Sequence, residues 1–204
     1  MTPKELTVRK RLGAVVGPLE LAACLLLLVL LRQNVMPGRA GVVLILLLPI
    51  AFGLHVTEEF IFPGGFIAWD NRYRPQFADT AGSFYVKVNT IPGVAALLVA
   101  LGAFDYAGGF SRAALPSWLA LAAFMSWNAV SFHLRGALRT RRYSPGMATG
   151  LLLFLPLTAA GYVYLLRCGA VDALGVAASL AAALALQPVL DLLKRRGLRK
   201  RGAA

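Results

Sequence analysis

One apolar segment of the chain carries a histidine and two adjacent acidic residues, His55, Glu58 and Glu59. On a helix, an imidazole three or four positions before a carboxylate lies on the same face, so His55 can act together with either glutamate. Two adjacent carboxylates repel each other in apolar surroundings, so at least one of them should be protonated, ion-paired or bound to a metal. Imidazole and carboxylate groups together are typical of zinc and iron sites and of general acid–base catalysis.

A second apolar segment contributes Asn128 and His133, and the chain contains 2 histidines in all. These two residues lie about 140° apart around an ideal α-helix, so both face one centre only if the helix bulges or frays. At about 1.5 Å per residue, the two segments bring their polar residues to similar depths if they run in the same direction. The pattern therefore predicts one site with His55 and His133 as metal ligands, one of Glu58 and Glu59 (Glu59 in the leading assignment) as the third ligand and the other as general base, and Asn128 as a ligand or orienting group.

Several other polar residues are expected at the height of this site. They lie near the ends of further apolar segments and are Asn89, Tyr143, Thr149 and Gln187. Ser144 precedes Pro145, Gly146 and Met147, and this order predicts a helix that begins near Met147 with Ser144 as its N-cap. A single polar pocket between helices is the expected result.

Composition limits the class of protein. Of 204 residues, 58% are hydrophobic and 15% are charged, and the mean hydropathy is +0.69. This composition disfavours a water-soluble globular protein, and the length of the apolar segments excludes a second sizeable soluble domain. The formal net charge is +12, but the basic residues cluster at the ends of apolar segments, so no nucleic acid is expected as a partner.

The apolar segments predict an all-α polytopic membrane bundle that forms one transmembrane domain over residues 1–204. Most of the 21 Lys and Arg residues would lie on one side, which places both termini in the cytoplasm of a multi-pass protein of the cell's inner membrane. Trp69 and Tyr73 are interpreted as interface anchors, and the basic cluster from Lys194 to Arg201 as a stop and orientation signal. Six spans are predicted, at about 12–31, 41–62, 84–104, 115–134, from 147 onwards, and at 171–193.

The segment His55-Val56-Thr57-Glu58-Glu59 resembles the family of integral membrane proteins named for its HXXEE motif. The resemblance extends through Asn128 and His133 to the stretch from Arg142 to Gly150, and it covers about residues 43–166. It implies a membrane protein in which these residues form the site, and an enzymatic activity is suspected from them. The helices at about 12–31 and 171–193 lie outside it.

The leading hypothesis is a metal-dependent membrane enzyme that activates a water near the cytoplasmic leaflet, most simply for hydrolysis of a lipid-like or membrane-delivered substrate. Zinc and iron both suit the ligands. Alternatives use the same residues. They include a structural hydrogen-bond cluster, a metal-free acid–base isomerase or oxidoreductase acting on a lipid, and a proton-coupled transporter or lipid-binding protein.

Overall fold

A computed structural model describes residues 3–32, 40–77, 82–103 and 115–202, and this part of the chain is helical, without strands. Each of the six predicted apolar segments contains helix. In chain order, the elements are α1 (Pro3–Arg32), α2 (Ala40–Phe60), α3 (Phe66–Tyr73), a 3₁₀ turn (Pro75–Phe77), α4 (Gly82–Ala103), α5 (Leu115–Asn128), a first π-helical segment (Ala129–Leu134), α6 (Arg135–Thr140), α7 (Met147–Thr149), a second π-helical segment (Gly150–Phe154), α8 (Leu155–Arg167) and α9 (Ala173–Gly202).

Three helical stretches within the described residues are long and apolar enough to cross a membrane: Val43–Phe60, Met147–Arg167 and Ala173–Arg195. The apolar stretch Phe84–Ala100 of α4 is shorter. The length and composition of these helices support membrane insertion of the protein.

The core lies between helices that are adjacent in sequence and helices that are distant in sequence. α2 packs against α1, α4 and α8, and α5 packs against α9. Trp118 of α5 is fully buried at the centre, and its indole N–H donates a hydrogen bond to the Ile45 carbonyl at 3.3 Å. This hydrogen bond joins α5 to α2.

The connection after α2 is folded back onto the bundle. Gly64 and Gly65 have φ of 74° and 88°, a conformation that glycine adopts without a steric penalty, and α3 begins directly after them. α3 buries Phe66, Trp69 and Asp70. The interpretation of Trp69 as an interface anchor is wrong, because only 6% of the residue is exposed and its ring stacks on the His133 ring, 6.2 Å between centroids with an interplanar angle of 13°.

Candidate metal centre

Three buried side chains from two helical elements converge on one point. His55 and Glu59 project from the last turns of α2, and His133 from the first π-helical segment. Oε1 of Glu59 lies 3.7 Å from Nε2 of His55 and 3.4 Å from Nε2 of His133. All three potential ligand atoms lie within 4.8 Å of one another. The structure thus brings together the three predicted metal ligands.

The first π-helical segment explains how His133 reaches this point. It spans Ala129–Leu134 and begins directly after Asn128. A π-helical turn contains more residues than an α-helical one, so residues five apart come to the same side. Asn128 and His133 accordingly line the same cavity, as the sequence required of a bulged helix.

The remaining ring nitrogen of each histidine contacts a hydroxyl. Nδ1 of His55 lies 3.0 Å from Oγ1 of Thr149, and Nδ1 of His133 lies 3.0 Å from Oγ of Ser144. Oγ1 of Thr149 also lies 2.5 Å from Oε2 of Glu58, to which it donates its one proton. Toward His55 it must therefore accept, which places the proton on Nδ1 and leaves the lone pair on Nε2 in the neutral ring.

Glu58 holds the loop that carries these hydroxyls. Its Oε1 accepts hydrogen bonds from the N–H groups of Gly146 at 2.9 Å and Ala148 at 3.1 Å and from the hydroxyl of Tyr143, and its Oε2 accepts one from the N–H of Thr149 at 2.7 Å. Burial, together with the hydrogen bond to Glu58 and the charge of Glu58, raises the pKa of Tyr143 to about 12, so this phenol remains protonated and donates at neutral pH. Glu58 is therefore placed beside the convergent group but directed to the loop.

The predicted N-cap role of Ser144 is wrong. α7 begins at Met147 after Gly146, and the carboxylate of Glu58 accepts the N–H groups at the start of this helix. Ser144 is fully buried, and its hydroxyl contacts His133 instead. A carboxylate from another helix thus does the capping that the sequence assigned to the local serine.

Gly146 lies directly against the site. Its φ is 95°, and a Cβ built there would lie 2.7 Å from Cε1 of both His55 and His133 and 2.9 Å from Cγ of Glu59. Real Cβ atoms do not approach carbon this closely, so only glycine fits between the loop and the two rings.

A cavity of about 100 Å³ adjoins the three convergent side chains. Most of its lining is aromatic or aliphatic, and three carboxamides from three helices interrupt it: Asn89, Asn128 and Gln187. The amide N–H of Asn128 donates to Oε1 of Gln187 at 3.4 Å, and that of Asn89 to the Tyr85 carbonyl at 2.8 Å. Tyr143 and Thr149 contact Glu58 and do not line the cavity, so the polar residues expected in one pocket are divided between the cavity wall and the loop bound by Glu58.

A buried ionic cluster forms another part of the cavity wall. Asp70 of α3 accepts from Nε of Arg74 at 2.8 Å and from Nζ of Lys194 at 2.7 Å, and Nη1 of Arg74 donates to Asp191 at 3.1 Å. Burial alone would raise the pKa of Asp70, but the charges of Lys194 and Arg74 outweigh it and hold that pKa below its ordinary value. The cluster joins α3 to α9.

The sequence predicted neither this cluster nor the burial of Lys194. Lys194, the first residue of the predicted stop and orientation signal, is 3% exposed and paired with Asp70, while the side chains of residues 196–201 lie outside the described part of the chain. The spacing of four residues between Asp70 and Arg74 was an available signal for the first ion pair. No sequence signal predicted the ion pairs that Asp70 and Arg74 form with Lys194 and Asp191 of α9.

The donor set fits a metal ion. In a tetrahedral site with bonds of about 2.0–2.1 Å, neighbouring ligand atoms lie about 3.3 Å apart, close to the 3.7 and 3.4 Å between Oε1 of Glu59 and the two histidine nitrogens. Both distances exceed the usual N–H···O length of about 2.9–3.0 Å. The three atoms are therefore arranged around a common point, and they do not form close hydrogen bonds with one another. The hydrogen bonds at both Nδ1 atoms supply the outer contacts that metal-bound histidines normally make.

The fold and the site define an all-helical protein that has apolar helices long enough to span a membrane and a buried His–Glu group able to hold a metal ion. The chain belongs to the family described as proteins of unknown function with an HXXEE motif, whose model matches residues 46–160. The motif here is the stretch from His55 to Glu59. No curated protein and no solved structure matches the chain significantly.

Proposed function

We propose that the protein is a metal-dependent enzyme of the cytoplasmic membrane that hydrolyses a lipid-like or membrane-delivered substrate. The observation that carries this proposal is the convergence of Nε2 of His55, Nε2 of His133 and Oε1 of Glu59 beside an open cavity. In this proposal the three side chains are the metal ligands, and the metal is zinc or iron. When bound, such a metal supplies Lewis acidity and lowers the pKa of a water molecule toward neutrality.

The two carboxylates of the motif have different tasks in this proposal. Glu59 is the ligand. Glu58, the second carboxylate that the sequence offered as general base, has both oxygens occupied by the loop, and we assign to it the positioning of Thr149 and thereby of His55. Asn128 lines the cavity next to Gln187 and orients the substrate there.

The apolar lining supports a hydrophobic substrate. The cavity walls are formed mainly by aromatic and aliphatic side chains, and the helices that carry them include all three apolar stretches able to span a bilayer. A substrate delivered from the membrane would reach such a cavity without transfer through water. The proposed topology has six spans with both termini in the cytoplasm.

Metal analysis of the purified full chain tests the proposal. We expect about one zinc or iron per chain in the wild-type protein and loss of that metal in the double variant His55→Ala, His133→Ala. Asn89→Ala is a matched control, because Asn89 lines the same cavity but is not among the three convergent groups, and it should retain the metal. A folded, active protein without metal would refute the proposal and favour metal-free acid–base chemistry.

A further inference from the structure

Arg74 belongs to the ionic cluster and lines the cavity. Arg74 is held rigidly on three sides: Asp70 binds its Nε, Asp191 binds its Nη1, and its Cζ lies 4.2 Å from the centroid of the Phe132 ring. Neither of these two carboxylate contacts uses Nη2. A guanidinium fixed in this way is pre-organised to bind another oxyanion.

The two carboxylates on Arg74 differ in strength of attachment. Asp70 is almost fully buried and also paired with Lys194, whereas the side chain of Asp191 is 38% exposed and makes its ion pair at the rim of the cavity. A half-exposed ion pair is weak and easily exchanged. Asp191 therefore occupies a carboxylate position on Arg74 that an incoming anion can take.

The anion position and the candidate metal centre share one cavity. Arg74, Asp191 and Lys194 line it together with His55, Glu59 and His133. Arg74 rests on the ring of Phe132, whose centroid is 5.1 Å from that of His133. A ligand whose acidic group is bound by Arg74 would thus extend along the aromatic wall past the convergent ligand atoms.

We propose that Arg74, supported by Lys194, forms an anion-binding subsite of this cavity, and that the substrate is an amphiphile that carries a phosphate or carboxylate group. This inference rests on the proposed function, since it takes the cavity as the substrate site. Asp191 acts as the competing internal anion. α9, which lies outside the family match, supplies Gln187, Asp191 and Lys194 from one face and so contributes to the choice of substrate.

Calorimetric binding to chelator-treated full chain in an uncharged detergent tests the subsite independently of any metal. The probes are hexyl phosphate, inorganic phosphate and 1-hexanol. We expect hexyl phosphate to bind, Arg74→Gln to weaken it by at least about tenfold, and Arg74→Lys to restore only part of the loss. Asp191→Asn, at the exposed rim, should leave the fold intact and strengthen binding by up to about fivefold.

Each outcome has a definite meaning. Inorganic phosphate binding as tightly as hexyl phosphate supports the subsite with a free anion as its source, and weaker binding of inorganic phosphate supports an amphiphile. Hexyl phosphate binding that is unchanged in both Arg74→Gln and Asp191→Asn, or no tighter than that of 1-hexanol, overturns the subsite. Because the protein is metal-free in this assay, a failure here leaves the metal analysis intact, and a metal-free wild-type protein leaves this result intact.

Discussion

Replacement of Gly146 by alanine should damage the site far more than the same replacement at Gly65. Both glycines directly precede a helix in the left-handed conformation, with φ of 95° and 88°. Alanine in this conformation costs about 1–2 kcal/mol at either position. At Gly65 nothing lies within 4 Å of the added Cβ, so that backbone cost is the whole expected loss.

At Gly146 a second cost is added. The new Cβ would lie 2.7 Å from carbon atoms of both imidazoles and 2.9 Å from Glu59, where contacts between carbon atoms are normally about 3.5–4.0 Å. The buried rings must move by close to 1 Å, and such overpacking costs about 1–3 kcal/mol. The free energy of unfolding should therefore fall by about 2–5 kcal/mol in Gly146→Ala, against about 1–2 kcal/mol in Gly65→Ala.

Thermal unfolding in detergent, combined with metal analysis, measures both effects. At about 2–4 °C per kcal/mol for a chain of this size, the Tm of Gly146→Ala should lie several degrees below that of Gly65→Ala. Gly146→Ala should also lose metal, because the displaced rings no longer converge on Glu59. Equal Tm values and equal metal contents in the two variants would show that the loop does not pack against the imidazoles, and the geometry of the site would be refuted.

Four further predictions concern other residues. Asp70→Asn should cost about 3–5 kcal/mol and Asp191→Asn at most about 1 kcal/mol in chemical unfolding, because only the first leaves a buried cation without its carboxylate; equal losses would contradict this. Since the pKa of Asp70 is lowered in the folded state, its stabilising contribution is complete above the ordinary value of 3.8 and is lost as the pH falls through the lowered value, a step that Asp70→Asn should remove from the acid-unfolding curve. Thr149→Val should weaken metal binding by about 10- to 100-fold in competition titrations, whereas Thr149→Ser should retain it, and equal affinities in the two variants would exclude a role for the hydroxyl. Cys168 is exposed after α8, and the proposed topology predicts that an impermeant maleimide labels it in intact cells; labelling only after permeabilisation would reverse that topology.

The helices and the convergent ligands were predictable because they follow from local patterns. The lengths of the apolar segments predicted six helical segments, and the spacing of four residues predicted that His55 and Glu59 lie on one face of α2. The similar depths expected for the polar residues of the two segments predicted that His133 lies near His55 and Glu59. The five-residue spacing from Asn128 to His133 even required a helical bulge, and the π-helical segment provides it.

The outer contacts of the site were not predictable, since they depend on tertiary structure. Ser144 has the local context of an N-cap, but the acceptor that caps the helix is Glu58, 88 residues before Gly146 in the chain. The sequence positions of Trp69 and Lys194 are typical of membrane interfaces, where aromatic and basic residues flank apolar helices. Each is instead buried by a partner on another element, His133 for Trp69 and Asp70 for Lys194.

The carboxylates of Glu58 and Glu59 would repel each other in one apolar environment, but in the structure they point in different directions. Consecutive residues on an α-helix point about 100° apart, so the two carboxylates face different surroundings. Glu58 faces the loop, where backbone N–H groups and hydroxyls stabilise its charge, and Glu59 faces the two imidazoles. The loop held by Glu58 returns Thr149 to His55, the first residue of the motif. The spacing of the motif therefore couples the position of the loop to the geometry of the ligands, because moving Glu58 by one position would remove either the acceptor for the loop or the third ligand.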